Sequence, residues 1–407
     1  MYRRIIIILL LILNLFTLSG CWDRTELEDL GIVSALGIEE SSGGKIRIVV
    51  QTLNTAALVK GSGGKGVEFE KAYRNTVIEG DTVYDALNRL TAITATKRSL
   101  SHTSVFIISE GLARDRGVQD IIDFLERDPE ARLDSWFIIG SGSMVSLLDI
   151  PGRLTSTPGS RLSDLLKHHN ETFAYAPSKL ADFIRLLESE SSQPYTAVVD
   201  AEPNASLPTD QGHGILDGNV PEPLENIVIQ NTAVFRQDRM VGLLNRDDSR
   251  GLLWLKGEVK GGVITFSIPG IEGKKAVTTI IQAKSELKPE IINGQVYITA
   301  RIEVKSFLND NQAGIKLDKP EEIKAMEAAQ GEKVKREVEA ALQKAQQEYK
   351  VDIFGFGEAV HHKYPGEWKK LKGDWSDIFP DVQVNIQVKS LIDHTSTIGN
   401  AAESGQK

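Results

Sequence analysis

The chain has 407 residues, 41% of them hydrophobic and 25% charged, with a formal net charge of -9. At roughly 150 residues per domain this is enough for two or three globular domains with buried cores, which excludes disorder of the whole chain. The acidity argues against nucleic acid or anionic lipid as partner for a broad surface.

The first element is a leader. Met1 to Arg4 is a short positive segment, and Ile5 to Phe16 is an apolar run interrupted only by Asn14. About a dozen residues suit the apolar core of a signal peptide and fall short of the ~20 that a spanning helix needs. Leu18-Ser19-Gly20-Cys21 follows, and Cys21 is the chain's single cysteine. A lone exported thiol makes no internal disulfide and is open to oxidation, so a covalent use for it is expected. Small residues before a nucleophilic thiol look like a lipobox. The expectation is that residues 1–20 are removed as a signal peptide and that Cys21 carries a diacylglyceryl thioether. Two acyl chains, at ~0.8 kcal/mol per buried methylene, make a stable membrane anchor.

A mixed α/β domain is expected over residues 21–192. Gly31 to Glu39 and Lys45 to Leu53 alternate apolar and polar residues around Ser41-Ser42-Gly43-Gly44, the pattern of a hairpin. Gly61 to Gly66 reads as a flexible insert, and Tyr73 to Glu79 as a further strand. Asp81-Thr82 caps an expected helix with Val83, Ala86, Leu87 and Leu90 on one face. Ser104 to Ser109 and Ser135 to Ile139 read as buried strands around a helix bearing Val118, Ile121, Ile122 and Leu125. Two further helices are expected at Ser160 to His169 and Ser178 to Ser189. Strands alternating with helices point to a mixed sheet.

Residues 193–224 contain Pro194, Pro203, Pro208, Pro221 and Pro223 among Asp, Asn and Gly. This composition is expected to form a linker. An α+β domain then spans 225–396. Asn226 to Phe235 and Met240 to Leu244 flank the turn Gln237-Asp238-Arg239, and Asp247-Asp248 starts a short helix through Leu255. Val277 to Leu287 and Gln295 to Phe307 are long strands joined at Asn293-Gly294, a strong hairpin signal. After Pro320, Ile323, Met326, Val334, Val338, Leu342, Ala345 and Tyr349 place one apolar stripe on a helix of about 45 Å. This stripe is expected to lie across an antiparallel sheet, because Gln330 and Ala345 weaken it as a coiled-coil seam. Gly331 is a place for a break or bend. A helical stretch after Phe354 reaches Lys370, Val382 to Val388 alternate as a closing strand, and 397–407 is expected to be a disordered tail.

Catalytic and metal-binding patterns fail on context. Gly61-Ser62-Gly63-Gly64-Lys65-Gly66 matches a dinucleotide-loop pattern by letter, yet Val67-Glu68-Phe69-Glu70 follows where a helix must open. Glu358, His361 and His362 share a helical neighbourhood, but adjacent histidines diverge by ~100° and no second such element exists. His168 and His169 have the same geometry without a helpful carboxylate. Gly140-Ser141-Gly142-Ser143 lacks the spacing of a nucleophile elbow. No catalytic residue, cofactor or metal is expected. Carboxylates are plentiful, and sequence does not tell which meet across a cleft.

One family is similar along nearly the whole chain beyond the leader. Cys21-Trp22-Asp23-Arg24-Thr25-Glu26-Leu27-Glu28 followed by Ile32 to Ile38 resembles the opening of the Ger(x)C spore germination lipoproteins, the GerAC-type C subunits. Thr232 to Phe235 with Val241 to Asn245, and Asp352 to Gly357 with Trp368, Trp375 and Phe379, resemble further family segments. Glu39 stands where the family often has Asp. The resemblance implies a multidomain α/β protein without assigned catalytic residues. It implies assembly with an A subunit and a permease-like B subunit on the outer face of the spore inner membrane. That complex converts nutrient sensing into ion and dipicolinate release. The rival expectation is an extracytoplasmic solute-binding lipoprotein of a transporter, which shares the anchor but usually has two similar lobes.

Overall fold

The computed structural model describes residues 2–5, 30–54, 71–94, 96–150, 157–203, 225–314 and 319–393. Cys21, the Gly61–Gly66 insert and the 397–407 tail lie outside these residues, as do 204–224.

The expected first hairpin is β1 (Leu30–Glu40) and β2 (Ile46–Leu53), paired antiparallel and extended by β3 (Tyr73–Gly80). Thr82 Oγ1 accepts from Asp85 N at 3.1 Å and so starts α1 (Val83–Thr94), which buries the four residues expected of it. β4 (Lys97–Ser99) and β5 (Val105–Ser109) both pair parallel with β1, and β6 (Trp136–Gly140) pairs parallel with β5. VFIIS and WFIIG are buried at every position, because this parallel centre is covered on both faces.

On one face lie α1, α2 (Glu110–Asp115), α3 (Gln119–Arg127) and α7 (Leu180–Leu187), contributing Leu87, Leu112, Ile121, Ile122 and Phe183 to one core. On the other lie α4 (Met144–Leu147) and α5 (Pro158–Lys167), with Leu147, Leu162 and Leu166. α6 (His169–Thr172) is a single turn, and β7 (Ser178–Lys179) pairs with β6.

The sheet does not end where the proline-rich linker was expected. β8 (Tyr195–Pro203) pairs parallel with β6 and antiparallel with β9 (Glu225–Arg236), and β10 (Arg239–Leu244) completes the order β10-β9-β8-β6-β5-β1-β2-β3. The sequence pattern misleads here for a physical reason. Pro194 precedes β8 and Pro203 ends it, so neither removes an N–H from the interior of the ladder, while Tyr195, Ala197 and Val199 between them are buried. Residues 225–244, expected to begin the second domain, therefore hydrogen-bond into the first sheet.

α8 (Arg246–Lys256) carries the chain to the second sheet, opened by a capping box between Asn245 and Asp248. That sheet has the order β11-β12-β13-β14, with β11 at Val263–Ser267, β12 at Lys275–Ile292, β13 at Gln295–Asn311 and β14 at Gln383–Asp393. The turn between β12 and β13 has positive φ at both Asn293 (51°) and Gly294 (82°), the backbone that tight hairpins need.

The sheet is antiparallel except for β14, which runs parallel to β13. A parallel neighbour requires a long crossover. The crossover is α9 (Pro320–Leu342), a π-helical turn to Tyr349, then α10 (Phe356–Lys363), α11 (Pro365–Leu371) and α12 (Trp375–Ile378). The stripe on α9 buries Met326, Val334 and Val338 against the sheet, as expected. Gly331 does not interrupt α9. A Cβ there would make ordinary contacts with Val388 Cγ1 and Ser390 Cβ of β14 at 3.7 Å.

Candidate functional site

The two sheets are locked together where β10 meets the end of α9. Lys350, with φ 52°, turns the chain out of the π-helical turn and leaves Tyr349 facing β10. The Tyr349 ring occupies the volume that a Cβ on Gly242 would take. Its hydroxyl donates to Leu243 O at 2.7 Å and accepts from Leu243 N at 3.1 Å, and Arg236 Nη2 donates to Tyr349 O at 2.7 Å.

Beside this contact, Asp352 organises the next turn. Its Oδ1 accepts from the backbone N–H of Phe354, Gly355 and Phe356 at 3.1, 2.9 and 3.2 Å. Its Oδ2 accepts from Gly357 N at 2.8 Å and from Trp375 Nε1 at 3.1 Å. Burial pushes this carboxyl above the usual range, while the donors pull it down. A carboxylate has about four lone-pair sites, so five donors leave it none with which to hold a metal or activate water.

The turn is sealed by buried Phe354, Phe356, Trp368, Trp375 and Phe379. A Cβ on Gly357 would come within 2.7 Å of Ser191 Cβ and Trp375 Nε1, and Gln193 N donates to Asp352 O at 2.8 Å. The chain entering β8 is thus tied to the same turn. Thr232 completes the junction by accepting from Ala176 N at 2.9 Å and sharing a 2.8 Å hydrogen bond with Ser249 of α8. The later family-like segments, 232–235, 241–245 and 352–357 with Trp368, Trp375 and Phe379, therefore serve the joint between the sheets, while 32–38 of the opening segment lies in β1 within the first sheet.

α8 and α9 touch through a buried ion pair. Glu337 Oε1 lies 2.9 Å from Arg250 Nε, and Trp254 Nε1 donates to Glu337 Oε2 at 2.9 Å. Sequence reasoning passed over this pair and Tyr349–Gly242, although a carboxylate beside Val338 on the apolar stripe was a usable signal.

A groove of about 710 Å³ opens on the first sheet's helical face, between α1 and α3. Leu112 and Ile121 are among its lining, and Tyr84 and Phe124 meet above them with ring centres 6.4 Å apart. Three of its arginines are neutralised locally, Arg98 by Asp128 at 3.0 Å, Arg116 by Asp120 at 2.9 Å and Arg127 by Asp123 at 2.9 Å. Its size lies in the range of small-ligand clefts.

The remaining sequence candidates are placed apart. On α10, His362 Nε2 is 3.9 Å from Glu358 Oε1, while His361 stacks on Trp368 with centroids 5.8 Å apart. His168 Nδ1 contacts Glu171 Oε1 and His169 Nδ1 contacts Leu166 O, so those two rings have separate partners. Ser143 caps α4 by accepting from Ser146 N. Among the described residues no group of three His, Cys, Asp or Glu is arranged to hold a metal ion, and no helix is long and apolar enough to cross a membrane.

Two family models match. Residues 23–201 fit the spore germination protein N-terminal domain, and residues 230–396 fit the spore germination B3/GerAC-like C-terminal domain. Spore germination protein KC of Bacillus subtilis (strain 168) is 24% identical, covering 98% of this chain and 98% of that protein. Spore germination protein B3 of the same organism is 23% identical, covering 95% and 96%. The crystal structure of the GerBC protein aligns with TM-score 0.57 at 17% identity, covering 88% of this chain and 96% of that one, which establishes a shared fold.

Proposed function

We propose, because the chain belongs to the GerAC-type family of spore germination proteins, that it serves as the non-catalytic C subunit of a nutrient-germinant receptor. In this reading residues 1–20 are a signal peptide, and Cys21 carries the lipid that holds the chain on the outer face of the spore inner membrane. Its partners are an A subunit and a permease-like B subunit. The first domain runs from 21 through β8 to 203, and the second, over 225–396, contributes β9 and β10 to the sheet of the first.

The observation that carries the reading is the use made of the family segments. Asp352 is saturated by five donors and Tyr349 is spent on Leu243, so these residues hold a shape and offer no chemistry to a substrate. A chain whose signature side chains fix one sheet against another suits a scaffold or transmitting subunit.

The groove between α1 and α3 is what favours the alternative of a solute-binding lipoprotein. Against it, the two sheets differ in strand number and order, unlike the two similar lobes of solute-binding proteins. Co-isolation from detergent-solubilised spore membranes tests the choice. A tagged chain should bring down the A and B subunits. Recovery with transporter components and without either receptor subunit would favour the alternative.

A further inference from the structure

Where α8, α9, β11 and the start of β12 meet, they enclose a concavity of about 370 Å³, within the range of small-ligand clefts. The protein as a whole is acidic, at -9. This surface is the reverse. Arg246, Arg250, Lys275, Lys333 and Arg336 line it, against only two carboxylates, Asp247 and Glu337.

Both carboxylates are already engaged. Glu337 receives Arg250 Nε at 2.9 Å, Trp254 Nε1 at 2.9 Å and Lys333 Nζ at 3.2 Å, and Asp247 receives Lys333 Nζ at 2.7 Å. Arg246, Lys275 and Arg336 make no side-chain ion pair or hydrogen bond among the described residues, and all three are exposed. Three unpaired cations around one concavity repel one another, and an anion placed between them relieves that repulsion while gaining attraction to each. Arg250 fixes the wall, since its side chain is 5% exposed and is held by Glu337 and by Val263 O at 3.1 Å. Arginine forks suit the oxygens of carboxylate or phosphate groups. Thr265 and Ser267 supply hydroxyl-bearing residues on the β11 wall.

We propose that this concavity binds a small multivalent oxyanion, a phosphate compound or a polycarboxylate, through Arg246, Lys275 and Arg336. The three residues come from α8, β12 and α9, so an occupant braces the second sheet against the helix that leads out of the first. The site is distinct from the junction and stands whether or not the receptor reading holds.

The test uses the full chain in nonionic detergent, titrated with inorganic pyrophosphate and, separately, with citrate. Sodium chloride at equal ionic strength is the control, and calorimetry and the thermal midpoint are the readouts. At least one of the two anions should bind saturably and raise the midpoint above the chloride control. Pyrophosphate alone would assign a phosphate head group, citrate alone a carboxylate one. The variant Arg246→Gln/Lys275→Gln/Arg336→Gln should bind about tenfold more weakly or not at all. Its anion-free midpoint should be no lower than that of the unmodified chain, because only exposed, unpaired charges are removed. No saturable response to either anion beyond chloride, or an undiminished response in the variant, would overturn the proposal.

Discussion

The ring of Tyr349 fills the space beside Gly242 that any side chain would need, and its hydroxyl exchanges two hydrogen bonds with the next residue, Leu243. Gly242→Ala is therefore expected to force the strand and the end of α9 apart, at a cost of about 1–3 kcal/mol. Tyr349→Phe keeps the ring and loses the hydroxyl, leaving both Leu243 backbone groups short of a partner for about 1–3 kcal/mol. Tyr349→Ala should make room for the new methyl, so the pair Gly242→Ala/Tyr349→Ala should cost less than the sum of the two single changes. Urea midpoints at constant slope measure this, and strict additivity would contradict the contact.

Asp352→Asn tests the turn that the junction surrounds. The amide nitrogen would face N–H donors that now meet Oδ1 or Oδ2, leaving buried donors unpaired. A loss of about 3 kcal/mol or more is expected, together with a changed near-ultraviolet signal from Trp375. A change of stability within about 0.5 kcal/mol, the range of ordinary surface substitutions, would show that the carboxylate is not needed there.

His169 gives the fold a pH dependence of definite sign. Burial lowers its pKa below the ordinary 6.5, its hydrogen bond to Leu166 O opposes that, and nearby Lys260 and Lys179 add to the lowering. A base with a lowered folded pKa binds fewer protons folded than unfolded. Its contribution to stability is present above about pH 6.5 and is lost as pH falls through the folded value. His169→Gln should flatten the fall in melting temperature between pH 7 and pH 5. An identical slope in both proteins would remove His169 from the account.

The proposal of lipid on Cys21 rests on the leader and the single cysteine. Spore-forming cells fed a labelled fatty acid should label the chain, and Cys21→Ala should abolish the label and weaken membrane retention. Equal label in both chains would sink the assignment. An uncleaved leader in the variant would still tether protein, so label incorporation is the deciding readout.

Local patterns carried much of the fold into the sequence. Asn293-Gly294 announced its hairpin because few other pairs adopt positive φ twice, and the α9 stripe announced its sheet because its apolar residues recur at helical spacing. β8 was hidden because Pro194 and Pro203 bracket a strand that the composition of the surrounding run made look like a linker. The parallel entry of β14 was equally hidden, since alternation reports that a strand has one buried face and is silent on its direction. The junction was legible only as words. Asp352 to Gly357 could be quoted from the sequence, whereas the convergence of five donors on one carboxylate depends on Trp375, 23 residues further on. Tyr349 and Gly242 are separated by more than a hundred positions, and nothing local to either residue points to the other.

The central claim is that this chain is an obligatory, non-catalytic part of a nutrient receptor, and dipicolinate release from spores lacking the gene tests it most directly. Such spores should form normally, fail to release dipicolinate in response to one set of nutrients, and still germinate with exogenous dipicolinate or through another receptor's nutrient. Reintroducing the gene should restore the response, and reintroducing it with Asp352→Asn should restore less. Normal release to every nutrient, in a strain without a second C subunit to substitute, would contradict the claim.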